Sequence, residues 1–134
     1  MKLLHIDWID TPRRGRCLDF LISGKSLLKM LKDRGYQQEA RLGTALVPTD
    51  VIFRDELTLA VPGPLPSGRV PLYICPCGDY DCGVIAVRIS HSGDSFLWNE
   101  FAWEDHSNEV TIVKNLGPFR FQDEQYRKAL GAIS

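Results

Sequence analysis

The chain has 134 residues, a net charge of −1 and 44% hydrophobic residues, the profile of one globular domain that can bury a core without metal or disulfide staples. No apolar run approaches the length of a membrane helix, and Met-Lys-Leu-Leu is followed at once by His5 and Asp7, which break any signal-peptide core. The expectation is a cytoplasmic protein with reduced thiols and no membrane partner.

Taken in order, Leu3–Trp8 alternates Leu4, Ile6 and Trp8 with Leu3, His5 and Asp7, a strand pattern. Thr11–Gly15 is a turn by its proline and glycine, and Arg16–Ile22 returns as a second strand, giving an N-terminal hairpin. Ser23 reads as the N-cap of a helix from Gly24 to Arg34, with Leu27, Leu28, Met30 and Leu31 as its stripe and Gly35 beyond its end. Val47–Phe53 reads as a short extended piece and Glu56–Val61 as a strand. Residues 62–71 hold four prolines and two glycines and form an irregular loop.

Leu72–Glu104 is the organising stretch, a three-strand meander of Leu72–Pro76, Gly83–Ser90 and Ser95–Trp103 separated by glycine turns. Val110–Val113 adds a strand and Asn115–Phe121 runs extended. A closing helix begins at Gln122 or Asp123, with Tyr126, Ala129, Leu130 and Ile133 on its apolar face. The tally is α+β: a single domain with a mainly antiparallel sheet of about six or seven strands and two helices packed on one face.

Charge is unevenly placed. Residues 1–42 carry nine Lys/Arg against five Asp/Glu, whereas residues 79–109 carry seven acidic residues against Arg88 alone. Such a segment repels phosphates, so it argues against nucleic acid as a partner and for a cationic protein, or simply for solubility.

Cys75-Pro-Cys77-Gly-Asp-Tyr-Asp-Cys82-Gly concentrates three of the four cysteines. Paired zinc knuckles use C-x₂-C twice, whereas the spacing here is C-x-C-x₄-C once. Zinc as a cofactor would therefore need a fourth ligand from His91, His106, His5 or Cys17. Redox pairs favour C-x-x-C at a helix N-terminus, and this turn lies between strands. The structural alternative is that Cys75 and Cys82 are small side chains at the mouth of a hairpin. Ser23-Gly24-Lys25-Ser26 lacks the glycine that a phosphate-binding loop requires five residues earlier, where Asp19 stands. In a regular strand Glu100 and Glu104 would lie about 13 Å apart, beyond the upper limit of about 9.5 Å for paired glycosidase carboxylates. His5 and Asp7 are same-face neighbours on the first strand, the spacing of a hydrogen-bonded pair.

LYICPCGDYDCGVIAVRI, FLWNEFAWED and LGPFRFQDEQYRKAL together resemble a family of small bacterial proteins of uncharacterised function. These carry a C-x-C-G…C-G hairpin, a W-x-x-F-x-x-E strand and a closing F-x-x-x-x-Y-x-x-A-L helix, and the match covers residues 70–131. The resemblance implies a shared fold and a bacterial origin, and it assigns no catalytic residue. In size and aromatic-acidic character the chain is also similar to immunity proteins of contact-dependent growth-inhibition systems. That likeness implies a non-enzymatic binding protein that neutralises a basic toxin domain, with Asp79, Tyr80, Asp81, Glu100, Glu104 and Asp105 as the partner-binding surface. The alternative is a small thiol or zinc-binding protein using Cys75, Cys77 and Cys82.

Overall fold

Alternation near the N-terminus is realised as a hairpin. β1 (Leu4–Thr11) pairs antiparallel with β2 (Gly15–Ile22) in the register Leu4↔Ile22, Ile6↔Phe20 and Trp8↔Leu18. Leu4, Leu18, Phe20 and Ile22 are buried while His5 and Asp7 face solvent, as a period-two strand with one covered face requires. This is a computed structural model, and it describes residues 1–11, 15–36, 51–74, 83–105, 107 and 109–133.

The chain departs from the sequence reading at Ser23. Ser23 and Gly24 have φ of +50° and +84° and make a tight turn into β3 (Lys25–Ser26), a third strand beside β2. The cap of α1 (Leu27–Asp33) is therefore Ser26 rather than Ser23, its hydroxyl accepting from Lys29 N at 3.1 Å. The same hydroxyl donates to the buried carboxylate of Asp19 on β2, so tertiary contact fixes which serine caps. Gly35, at φ +94°, follows the helix in the left-handed conformation expected of it.

A helix, α2 (Val51–Leu57), stands where the sequence suggested extended chain over Val47–Phe53 and a strand over Glu56–Val61. Residues 47–50 lie outside the described residues, and residues 58–61 form turns after the helix. Phe53, Glu56 and Leu57 are all buried. Their i, i+3, i+4 spacing is a helical face, which here prevails over the β-branched composition.

The second sheet is the meander. β4 (Val70–Ile74), β5 (Val84–Ser92), β6 (Ser95–Glu104) and β7 (Val110–Ile112) follow in spatial order. β8 (Phe119–Gln122) pairs with Ser95–Trp98 of β6, on the side where β7 pairs with Ala102–Glu104. α3 (Asp123–Leu130) follows without a break, capped by the Gln122 side chain, and buries Tyr126 and Leu130 with Ile133 just beyond. Among the described residues there are eight strands and three helices, and all strand-to-strand ladders are antiparallel. The fold is α+β as expected, with its strands divided between two sheets. No helix among the described residues is long and apolar enough to cross a membrane.

One core joins the sheets. Trp98 of β6 meets Phe20 of β2 edge-to-face at 5.5 Å, and also packs on Phe121 and Tyr126. Its indole N–H donates to the Tyr126 oxygen at 3.0 Å, and the Tyr126 hydroxyl donates to the Leu57 carbonyl of α2 at 2.6 Å. Three elements are thus tied through one buried polar chain. Val84–Val87 of β5 are buried without alternation, so both faces of this stretch are covered.

Candidate functional site

The acidic flank of β6 is built on an irregularity. Opposite Ala86 and Arg88 of β5 stand Ala102 and Asn99, so β6 carries an extra residue, and Glu100 has φ +51°. A β-bulge re-aims side chains and increases local twist. The left-handed conformation is unfavourable for a residue with a Cβ. Glu100 is held there from both sides: its N–H donates to Asn99 Oδ1 at 2.9 Å and its carbonyl accepts from Arg69 Nε at 3.0 Å.

Arg69, the last residue before β4, is only 4% exposed. A guanidinium out of water needs compensating charge, and two carboxylates supply it. Nη2 lies 3.4 Å from Glu100 Oε1 and Nη1 lies 3.5 Å from Glu104 Oε2. Arg88 Nε reaches the other Glu100 oxygen at 3.3 Å. Ser67 Oγ donates to Glu104 Oε2 at 2.7 Å and accepts from Arg69 N at 3.2 Å. The loop over 62–69 is thereby stitched to the sheet by two arginines and two glutamates whose charges cancel.

This geometry changes the standing of several sequence-derived residues. Glu100 and Glu104 reach one guanidinium, so the bulge brings them closer than a regular strand would. Glu104 is 8% exposed and already paired, so it positions the flank and does not present a free charge. Glu100 is half-exposed. Asp105 accepts from Trp103 Nε1 at 3.2 Å and from the N–H and hydroxyl of Ser107 at 2.9 and 2.6 Å, turning the chain after β6. Asp79, Tyr80, Asp81, Cys75, Cys77, Cys82 and His106 lie outside the described residues. Gly83, which follows the cysteine turn, has φ +135°, and a Cβ there would overlap the Trp103 ring. Only glycine lets β5 start this close to the indole.

Two features were not singled out in the sequence. Arg69 sits inside the proline-rich loop, where an arginine ordinarily faces solvent. On β7, Val110 and Ile112 are 43% and 44% exposed. Their register opposite Glu104 and Ala102 places them on the face where the carboxylates gather. An apolar pair on an edge strand, adjoining the exposed Glu109, is suited to contact with another surface.

Elsewhere, polar groups are paired internally. Asp19 accepts from Tyr73 OH at 2.6 Å, from Phe20 N at 2.8 Å and from Ser26 Oγ. Burial, reinforced by the Asp19 charge and hydrogen bond, pushes the Tyr73 hydroxyl well above its ordinary pKa. His91 Nε2 lies 2.8 Å from Asp123 Oδ1, and Arg127 Nε lies 3.1 Å from the same oxygen. Partial desolvation opposes ionisation of Asp123, but the Arg127 and His91 hydrogen bonds and charges outweigh it and hold the carboxyl below its usual value. His5 and Asp7 are exposed on β1. Among the described residues no group of three or more His, Cys, Asp or Glu is arranged to hold a metal.

No family model, curated protein or solved structure matches this chain.

Proposed function

We propose that the protein is a non-enzymatic binding protein that neutralises a bacterial toxin domain, engaging it through the outer flank of β6 and β7. The observation that carries this reading is the pair Val110 and Ile112, exposed on an edge strand opposite Glu104 and Ala102 and adjoining the exposed Glu109. An apolar centre with a charged rim gives area through the valine and isoleucine and steering through the carboxylates. The partner is a basic domain, because residues 79–109 leave an acidic excess after Arg88 is counted. Arg69 and Glu104 serve as the support beneath this surface. Glu100, Asp105, Glu109, Val110 and Ile112 make the contact, and Asp79, Tyr80 and Asp81 count as further partner-binding residues on the strength of the sequence.

The test is co-purification of tagged protein from its native host, followed by measured affinity for the captured domain. Glu100→Lys with Glu109→Lys should weaken binding and flatten its dependence on salt. Unchanged affinity and salt dependence would remove this surface from the account.

A further inference from the structure

Successive outward-facing positions of β1 are filled by other parts of the chain until Ile6. Ser23 N donates to Leu3 O at 2.8 Å. Odd-numbered residues of this strand therefore bond to β2, and even-numbered ones direct N–H and C=O away from it. Lys2 N donates to Arg120 O of β8 at 2.8 Å. Leu4 is satisfied by one side chain: its N–H donates to Gln125 Oε1 at 3.0 Å, and Gln125 Nε2 donates to Leu4 O at 2.7 Å. The glutamine amide takes the place of a neighbouring strand. Ile6 is the next outward residue, and among the described residues nothing fills the corresponding position.

Beside Ile6 lies a groove of about 500 Å³ between β1 and α3. On the α3 side it is lined by Gln125, Lys128 and Ala129, with Ala132 just past the helix end. The two alanines are small enough for a backbone to approach, and among the described lining residues Lys128 and His5 are the ionisable ones. Among the described residues no carboxylate lines it, in contrast to the flank of β6.

We propose that this groove takes an extended peptide segment of a partner protein, bearing an acidic side chain, which joins β1 at Ile6 as an added strand. Main-chain bonds at a sheet edge supply affinity, and alternate side chains supply selectivity. The acidic residue pairs with Lys128, and an apolar neighbour rests on Ala129 and Ala132. A second copy of β1 is disfavoured by register. A two-fold pairing centred on Ile6 sets Leu4 opposite Trp8 of the other copy, where Gln125 already occupies the bonding position. The groove is on the other sheet from the β6–β7 flank, so this inference stands or falls separately from the toxin-neutralising reading.

A phage-displayed library of short random linear peptides selected on the intact chain tests it. Enriched peptides should alternate apolar with acidic residues and protect the Ile6 amide from hydrogen exchange. They should bind about tenfold or more weakly to Lys128→Glu and to Ala132→Leu. Both substitutions are at exposed positions, and an unchanged unfolding midpoint separates a filled or recharged groove from a damaged fold. Three results would overturn the proposal: no enrichment, enriched peptides that protect other amides or ignore both substitutions, or an Ile6 amide protected without peptide in a dimer.

Discussion

Arg69 holds Glu100 twice, through Nε on its backbone carbonyl at 3.0 Å and through Nη2 on its carboxylate at 3.4 Å. The first contact fixes a left-handed residue in the middle of a strand, and the second fixes where its charge points. Glu104 completes the support from the next turn of the pleat. The flank is acidic in sequence and neutralised at its base, so only its rim carries charge toward solvent.

Removing the guanidinium leaves Glu104 buried with Ser67 as its remaining partner. Arg69→Met should destabilise the protein by about 3–5 kcal/mol, read as a fall in urea midpoint with unchanged slope. The double variant Arg69→Met/Glu104→Gln should recover part of the loss, because the uncompensated charge goes with the glutamate. A double variant no better than the single would mean that Glu104 is not the charge Arg69 answers.

The bulge makes its own forecast at Glu100. A non-glycine residue in the left-handed region costs about 1–2 kcal/mol, and half-exposed ion pairs contribute about 0–1 kcal/mol. Glu100→Gly should therefore lie within about 1 kcal/mol of the parent or be more stable. Glu100→Val should be clearly less stable in the same urea titration, since a β-branched side chain tolerates positive φ least. Equal stabilities for the two variants would argue for a regular, unbulged strand.

Where periodicity was strong, the sequence disclosed the fold. The β1–β2 hairpin, the meander and the apolar face of α3 all follow from spacing alone. Where composition and spacing disagreed, the sequence misled. Val51–Leu57 is β-branched at its start, yet Phe53, Glu56 and Leu57 make a helical face only once a core is present to receive them. Ser23 and Ser26 are both sound caps locally, and the choice falls to Ser26 because Asp19, on the neighbouring strand β2, receives its hydroxyl. The candidate flank was half legible. Its acidity is plain in residues 79–109, but the bulge and the buried Arg69 depend on loop-to-strand contacts between positions some thirty residues apart.

Two tyrosines set the alkaline limit. Burial, then the Asp19 charge and hydrogen bond, raises Tyr73, and burial raises Tyr126 against the opposing effect of its Trp98 bond. A raised folded value means that their stabilisation is intact below the unfolded tyrosine pKa of about 10 and is lost as pH climbs above it. Tyrosinate absorbance from these two residues should appear only together with loss of circular dichroism. Tyr73→Phe and Tyr126→Phe should each remove one hydroxyl from that late signal. Smooth ionisation of both in a still-folded protein would contradict their placement.

Acid reports on Asp123. Its carboxyl is held below the ordinary value by Arg127 and His91 against partial desolvation. Its stabilisation is therefore present above the unfolded carboxyl pKa and disappears as pH falls through the lower folded value. Asp123→Asn should flatten the acid limb of the stability–pH curve and leave the alkaline limb unchanged. An acid limb identical to that of the parent would show that the His91–Asp123–Arg127 cluster is not formed in solution.

The central claim, recognition through an apolar pair on an acidic edge, is tested most directly by capture from the native host with the parent chain and with Val110→Ser/Ile112→Ser. The parent should retain a basic protein domain whose affinity falls as salt rises, and the double variant, equally stable, should lose it. Equal capture by both, or a partner whose binding ignores salt, would contradict the account.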